Sequence, residues 1–287
     1  MPLDFHHVDV FADRPYSGNS LAVFVDPPPL DTGQMARVTQ ELRHFESIFL
    51  TSAGPDTVRA RVFDLIEELD FAGHPLLGAA AVLHELRAAP GEERRWTFEL
   101  NAKTVQVTTR ADATGRIAAL LDAGRPEPIP ADPDVPEIAA ALGLDPADLH
   151  TPEVISTGLR YLVVPVRGGG ALARARIGRP GFEDLLKGLG AQFAYVLDVD
   201  ALEARHWDND GVLEDVATGS AAGCAAAHLL RRGRIRPGEP AALKQGRFTG
   251  RPSTITITAY GTPDDVERVT VGGTVCPVGT GTLRELP

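Results

Sequence analysis

The sequence predicts an α+β fold of two similar lobes, each a curled, mostly antiparallel and barrel-like β-sheet around a central α-helix. Residues 68–81 are echoed by residues 214–227, an offset of 146 in a chain of 287 residues. Glu68 falls opposite Glu214, Gly73 opposite Gly219, His74 opposite Ser220, and the Ala triplet 79–81 opposite 225–227. A copy at about half the chain length reads as a duplicated unit, although Ala-rich helices also resemble one another by chance. Ala, Gly and Leu occupy all sides of both segments, as in a helix buried all round. Many short stretches of strand composition surround each one, and such strands cover a single buried helix by curling around it. The order does not fit a βαβ nucleotide fold, since no Gly-x-Gly-x-x-Gly follows a strand.

Residues 5–11 read as a strand, and the turn chemistry of residues 12–19 leads into a second strand at 21–25. Asp31 can N-cap a helix reaching about residue 44, with Met35, Val38 and Leu42 at helical spacing. Strand composition returns at 45–50 and 58–65. Gly73 then opens the first central helix, with Pro75 in the first turn, where a missing N–H does no harm. Further strands are expected within 96–109 and at 117–121. Residues 125–136 hold five prolines and no apolar period, which marks a linker. It would divide an N-terminal lobe, residues 1–124 with a contribution from about 279–287, from a C-terminal lobe, residues 137–278. The second lobe should contain a helix from about 136 to 142, strands at 160–166 and 193–197, and a helix near 182–189. Gly168-Gly169-Gly170 reads as a flexible turn, because no Lys-Ser/Thr follows to make a phosphate loop. After the second central helix come a strand at 254–259 and a closing strand pair within 269–278, turned at Gly272-Gly273.

The net charge of −11 argues against a nucleic-acid partner. The Arg231, Arg232, Arg234 and Arg236 cluster reads as a solvated helix end. Cys224 and Cys276 are the only cysteines, which excludes a disulfide framework and fits a reducing cytoplasm, with Cys224 an inert core thiol. No stretch reaches the roughly 18 uninterrupted apolar residues of a membrane span. The N-terminus lacks a signal-peptide pattern, so a cytoplasmic protein without a membrane partner is expected. The eight histidines form no H-x-x-x-H pair, and no metal site is expected.

Chemistry concentrates at the two helix starts, whose unpaired N–H groups and positive dipole ends suit a substrate carboxylate. Strand alternation places Glu46 on one face with Ile48 and Leu50. A carboxyl among apolar groups is desolvated and can act as acid or base near neutral pH. The competing reading is a glutamate at a strand entrance that reaches water. His74 stands at the first helix start, either catalytic or a capping or core histidine.

Six motifs in order resemble those of the PhzF family, phenazine-biosynthesis isomerases and their relatives. They are Asp9-Val10-Phe11 through Gly18-Asn19, Glu46-Ser47, Phe71-Ala72-Gly73-His74-Pro75, Ser156-Thr157-Gly158-Leu159-Arg160-Tyr161, Glu214-Asp215-Val216-Ala217-Thr218-Gly219-Ser220-Ala221, and Gln245-Gly246 with Gly250-Arg251-Pro252-Ser253. The resemblance implies a diaminopimelate-epimerase-like fold and a homodimeric isomerase without a cofactor, acting on a small carboxylated metabolite. Glu46, His74 and Asp215 match the catalytic residues, with Glu46 moving the proton. Asn19, Gly73, Gly219 and Ser220 match substrate-binding positions. Ser20 and Val216 stand where the family often has Pro. Ala72 and Thr218 stand where the two-cysteine epimerases of this fold carry their thiols, which disfavours two-thiol racemisation. The alternatives are a racemase using carboxylate and imidazole, or a binding protein without turnover. Closure of the lobes over the ligand is expected.

Overall fold

The computed structural model describes residues 2–178 and 180–287. The chain forms two compact units: residues up to Asp122 together with Gly272–Pro287, and Ala123–Val271.

The first unit opens with the antiparallel pair β1 (Leu3–Val10) and β2 (Asn19–Val25). After α1 (Thr32–Leu42), β3 (Glu46–Ser52) runs parallel to β2, and β4 (Thr57–Asp64) folds back on β3. The two-residue β5 (Glu68–Leu69) pairs with the end of β4 just before α2 (Gly73–Arg87). Then β6 (Glu93–Glu99) lies parallel to β4 and continues into the meander β7 (Thr104–Ala111) and β8 (Ile117–Gly124). The last strand of the chain pairs with both β1 and β8, closing the sheet around α2. All of α2 from Gly73 to His84 is buried. Its close approach depends on Gly78, where a Cβ would lie 2.5 Å from the Leu21 side chain. The outer face is covered by α1, fixed by an Asp31–Gln34 capping box, over Phe24, Phe49 and Phe63.

The second unit contains β9 (Glu127–Ile129), α3 (Val135–Ala141), β10 (Glu153–Ser156), β11 (Arg160–Val166), α4 (Gly169–Arg174) and α5 (Phe182–Gly188). It continues with β12 (Phe193–Asp198), β13 (Glu203–Trp207), β14 (Glu214–Asp215), α6 (Gly219–Arg231), β15 (Ala241–Gln245), β16 (Ser253–Gly261) and β17 (Val266–Leu283), which runs on into the first unit. Residues 125–136 carry β9 and the first residues of α3, N-capped by Asp134. Here α6 is the buried helix, and α3, α4 and α5 cover the outer core with Trp207.

The ladders show the duplication. From β1 to β7 (β1, β2, β3, β4, β6, β7) the pairings run antiparallel, parallel, antiparallel, parallel, antiparallel. From β10 to β16 (β10, β11, β12, β13, β15, β16) they run in the same order. Each copy also has one clamp before its buried helix. Arg61 grips Glu68 through Nε and Nη2 at 2.8 and 2.5 Å, and Arg205 grips Glu214 at 2.9 and 2.7 Å. Two residues after each arginine an aromatic ring lies beneath its guanidinium, Phe63 in one copy and Trp207 in the other. Next comes an aspartate, Asp64 or Asp208, whose Oδ1 accepts two backbone N–H groups of the following turn.

Two expectations need correction. Residues 269–278 form no turned strand pair; they lie within one 18-residue strand, β17. Gly272 serves close approach rather than turning, because a Cβ there would meet the Ala119 carbonyl oxygen at 2.4 Å. Gly169 and Gly170 begin α4 instead of a flexible turn, since the buried Ala171 and Leu172 draw the segment into the core. Among the described residues, no helix is long and apolar enough to cross a membrane.

Candidate active site

In the first unit, Glu46 is the first residue of β3, and its side chain retains 15% of its exposure. Its strand neighbours on the same face, Ile48 and Leu50, are fully buried. That face meets α2, and His74, in the first turn of the helix, places Nδ1 3.1 Å from Glu46 Oε2. The His74 side chain is 7% exposed. Asn19, buried at the start of β2, brings Nδ2 to 3.5 Å from the same ring nitrogen, so the carboxylate is the closer partner. Asn19 is delivered by Gly18, whose φ of +66° and closeness to the Val10 carbonyl exclude a side chain. Gly73 opens the same helix turn. Asn19, Glu46, Gly73 and His74 therefore gather at one end of α2.

A carboxylate and an imidazole at this separation are close enough for a proton to pass between them. The couple can hold a proton on either partner with little motion, as general acid–base chemistry requires.

In the second unit, Asp215, Gly219 and Ser220 gather at the start of α6. The half-buried Ser220 hydroxyl is 2.8 Å from Tyr161 Oη, and its carbonyl accepts from Thr157 Oγ1 at 3.2 Å. No side chain of its own N-cap residue, Thr218, caps α6. The buried Gln245 supplies that function from β15, its Oε1 accepting from Thr218 N at 3.1 Å.

The bonds around Gln245 have a fixed direction. Burial, and then the charge of Asp215, push the Tyr195 phenol well above its ordinary pKa, so it remains a donor, and it donates to Gln245 Oε1 at 2.9 Å. Gln245 Nε2 must then donate to the Asp215 carbonyl and to Thr218 Oγ1, each at 3.0 Å. The Thr218 hydroxyl is left to donate to Asp215 Oδ2 at 2.5 Å. The chain of bonds from Tyr195 through Gln245 and Thr218 therefore fixes the orientation of the Asp215 side chain.

The two copies carry different chemistry. Glu46 pairs with Asp64, one residue after Phe63. The β12–β13 ladder runs from Asp198–Glu203 to Val196–Arg205, and the same register carried three residues further would set Phe193 opposite Asp208, one residue after Trp207. Phe193 therefore occupies the position of Glu46, Ser220 that of His74, and Leu69 that of Asp215. Cys224 is fully buried, its thiol donates to the Ile155 carbonyl, and burial pushes it up to about 12, so it is inert. Among the described residues, no group of three or more His, Cys, Asp or Glu is placed to hold a metal. Sequence reasoning missed Tyr195, Phe193 and the duplicated arginine clamp. The repeated Arg-x-(Phe/Trp)-Asp before each Glu was a legible signal for the clamp.

A trans-2,3-dihydro-3-hydroxyanthranilate isomerase from Pseudomonas fluorescens is 32% identical, over 96% of this chain and 97% of its own. The structure is similar to that of a predicted epimerase from Pseudomonas aeruginosa, with a TM-score of 0.90, 46% identity and 99% of each chain covered. A hydroxyproline epimerase from Agrobacterium vitis shares the fold, with a TM-score of 0.63 and 14% identity over 98% of this chain and 92% of its own. The PhzC-PhzF family of phenazine biosynthesis-like proteins matches residues 8–281, and the chain belongs to it as an isomerase of diaminopimelate-epimerase-like fold.

Proposed function

We propose that this isomerase moves a proton, and with it a double bond, within a small carboxylated metabolite, with Glu46 as the proton-transferring group. The observation that carries this reading is the Glu46–His74 contact of 3.1 Å in a largely buried setting at the start of α2. Glu46 takes the proton from a carbon activated by the neighbouring unsaturation and returns it further along the conjugated system. His74 keeps the carboxyl oriented and balances its charge as the proton arrives and leaves. Asn19 stands beside the pair, its amide nitrogen 3.5 Å from His74 Nδ1. Gly73 in the first unit, and Gly219 and Ser220 in the second, offer first-turn N–H groups as proposed carboxylate-binding positions, and Asp215, oriented by Thr218 and Gln245, is a proposed contact for a substrate substituent. The isomerase similar to this chain, from Pseudomonas fluorescens, makes trans-2,3-dihydro-3-hydroxyanthranilate the first substrate to try.

The test is incubation in D₂O with trans-2,3-dihydro-3-hydroxyanthranilate and a panel of unsaturated amino- and hydroxy-carboxylates. Deuterium at a new carbon with a changed ultraviolet spectrum supports the reading. Deuterium at Cα with inversion and an unchanged chromophore replaces it with racemisation.

A further inference from the structure

At the C-terminal end of α6 the second unit has a cavity of about 380 Å³ whose charged lining is all basic. Arg167 reaches it from the end of β11, Arg232 and Arg234 from the segment after α6, and the imidazoles of His150 and His228 complete the wall. Val135, Leu149, Pro165 and Val199 form an apolar floor. No carboxylate lines it, in a chain whose net charge is −11. The start of α6, with Ser220, lies at the other end of the helix, roughly 15–20 Å away at 1.5 Å per residue.

A helix C-terminus attracts cations, so arginines there could serve the dipole alone. That accounts for part of the cluster: Glu153 takes His228 and Arg231, the latter at 3.2 Å, and Asp200 takes Arg234 at 2.7 Å. Two cations remain in excess. Arg232 lies 3.9 Å from a Glu153 already engaged twice, and Arg167, from a strand that is no part of the helix, forms no ion pair among the described residues. Burial first, then Arg167 and Arg234, push His150 below its ordinary pKa, so it adds a neutral imidazole donor rather than another charge.

Guanidiniums converging from separate elements suit the tetrahedral oxygens of a dianion better than the two oxygens of one carboxylate, and the apolar floor suits a planar or aliphatic group beside it. We propose that this cavity is a second ligand site of the chain, taking a small phosphate monoester with an apolar substituent. It stands independently of the chemistry assigned to Glu46.

The test is calorimetric titration of the full chain with phenyl phosphate, inorganic phosphate and benzoate at constant ionic strength. Saturable binding of phenyl phosphate is expected, about tenfold tighter than inorganic phosphate or benzoate. Arg167→Ala, at an exposed side chain, should weaken it at least about tenfold, the loss of one charge-assisted contact, while leaving the melting temperature unchanged without ligand. Glu46→Gln and Ser220→Ala should leave it intact. Three results overturn the proposal: no saturable binding beyond that of sodium chloride, binding insensitive to Arg167→Ala, or binding abolished by Ser220→Ala. A shift from dimer to monomer in Arg167→Ala, without anion binding, would assign the cavity to a carboxylate of a second copy instead.

Discussion

At the residue scale, strand alternation alone put Glu46 on the face of Ile48 and Leu50. Whether that face met water or protein depends on where α2 lands, which Gly78 and the packing of Leu21 decide, so the sequence left both readings open. The structure places the carboxylate against His74, and the roles of the pair now rest on kinetics. His74→Asn should lower turnover at least about tenfold, the value of a charge-assisted hydrogen bond of about 1.5 kcal/mol. Its melting temperature should stay near wild type, because Asn keeps a polar group in the same turn. An unchanged rate would return His74 to a capping or core role. Cys224 allows a second check: a buried thiol with its pKa at about 12 is not a nucleophile. Thiol-directed reagents should leave turnover unchanged in a Cys276→Ser background. Inactivation there would mean that the thiol is used.

At the element scale, helices were read more fully than strands. The central helices announce themselves by small residues on all sides, whereas β5 and β14 have two residues each and β13 is Glu-Ala-Arg-His-Trp, which has no alternation of apolar and polar groups. Gly272-Gly273 carried turn chemistry but lies in an extended strand because β8 passes close by. Gly272→Ala should therefore cost about 1–3 kcal/mol, as overpacking does, and a melting curve at wild-type temperature would contradict that. The far end of α6 is tied to β10 through Glu153. Burial pushes this carboxyl up, but His228, Arg231 and Arg232 outweigh burial and hold it below its ordinary value of 4.5. A depressed folded-state pKa gives stability that is present above about 4.5 and lost as pH falls through the lower folded value. The melting temperature of wild type should thus fall more steeply below that pH than that of Glu153→Gln; parallel curves would show that the cluster contributes nothing to acid stability. At the other end of α6, Tyr195→Phe removes the donor that orients Gln245. If this relay of bonds serves the site by orienting Asp215, kcat/KM should fall in this variant at an unchanged melting temperature. Loss of stability with kcat/KM unchanged would make the relay structural only.

At the scale of the whole molecule, one duplicated framework carries two unlike ends. Both copies keep the clamp, the turn aspartate and the small-residue helix, all of which set backbone geometry. They diverge at the proposed site positions: Glu46 against Phe193, His74 against Ser220, Leu69 against Asp215. The echo was visible because the helices and the glutamate five residues before each glycine are duplicated in sequence. The divergence was hidden because residue spacing does not equate Glu46 with Phe193, an equivalence that comes from carrying the β12–β13 register past Val196–Arg205. A framework that confines the acid–base couple to one copy makes a sharp demand on Glu46. The direct measurement is solvent-deuterium incorporation by wild type and Glu46→Gln on the same substrate, with both melting temperatures. The variant should lose at least about 10²-fold in incorporation, while its melting temperature holds or rises because a largely buried charge is gone. Incorporation near the wild-type rate by a folded Glu46→Gln protein would contradict the assignment of proton transfer to Glu46.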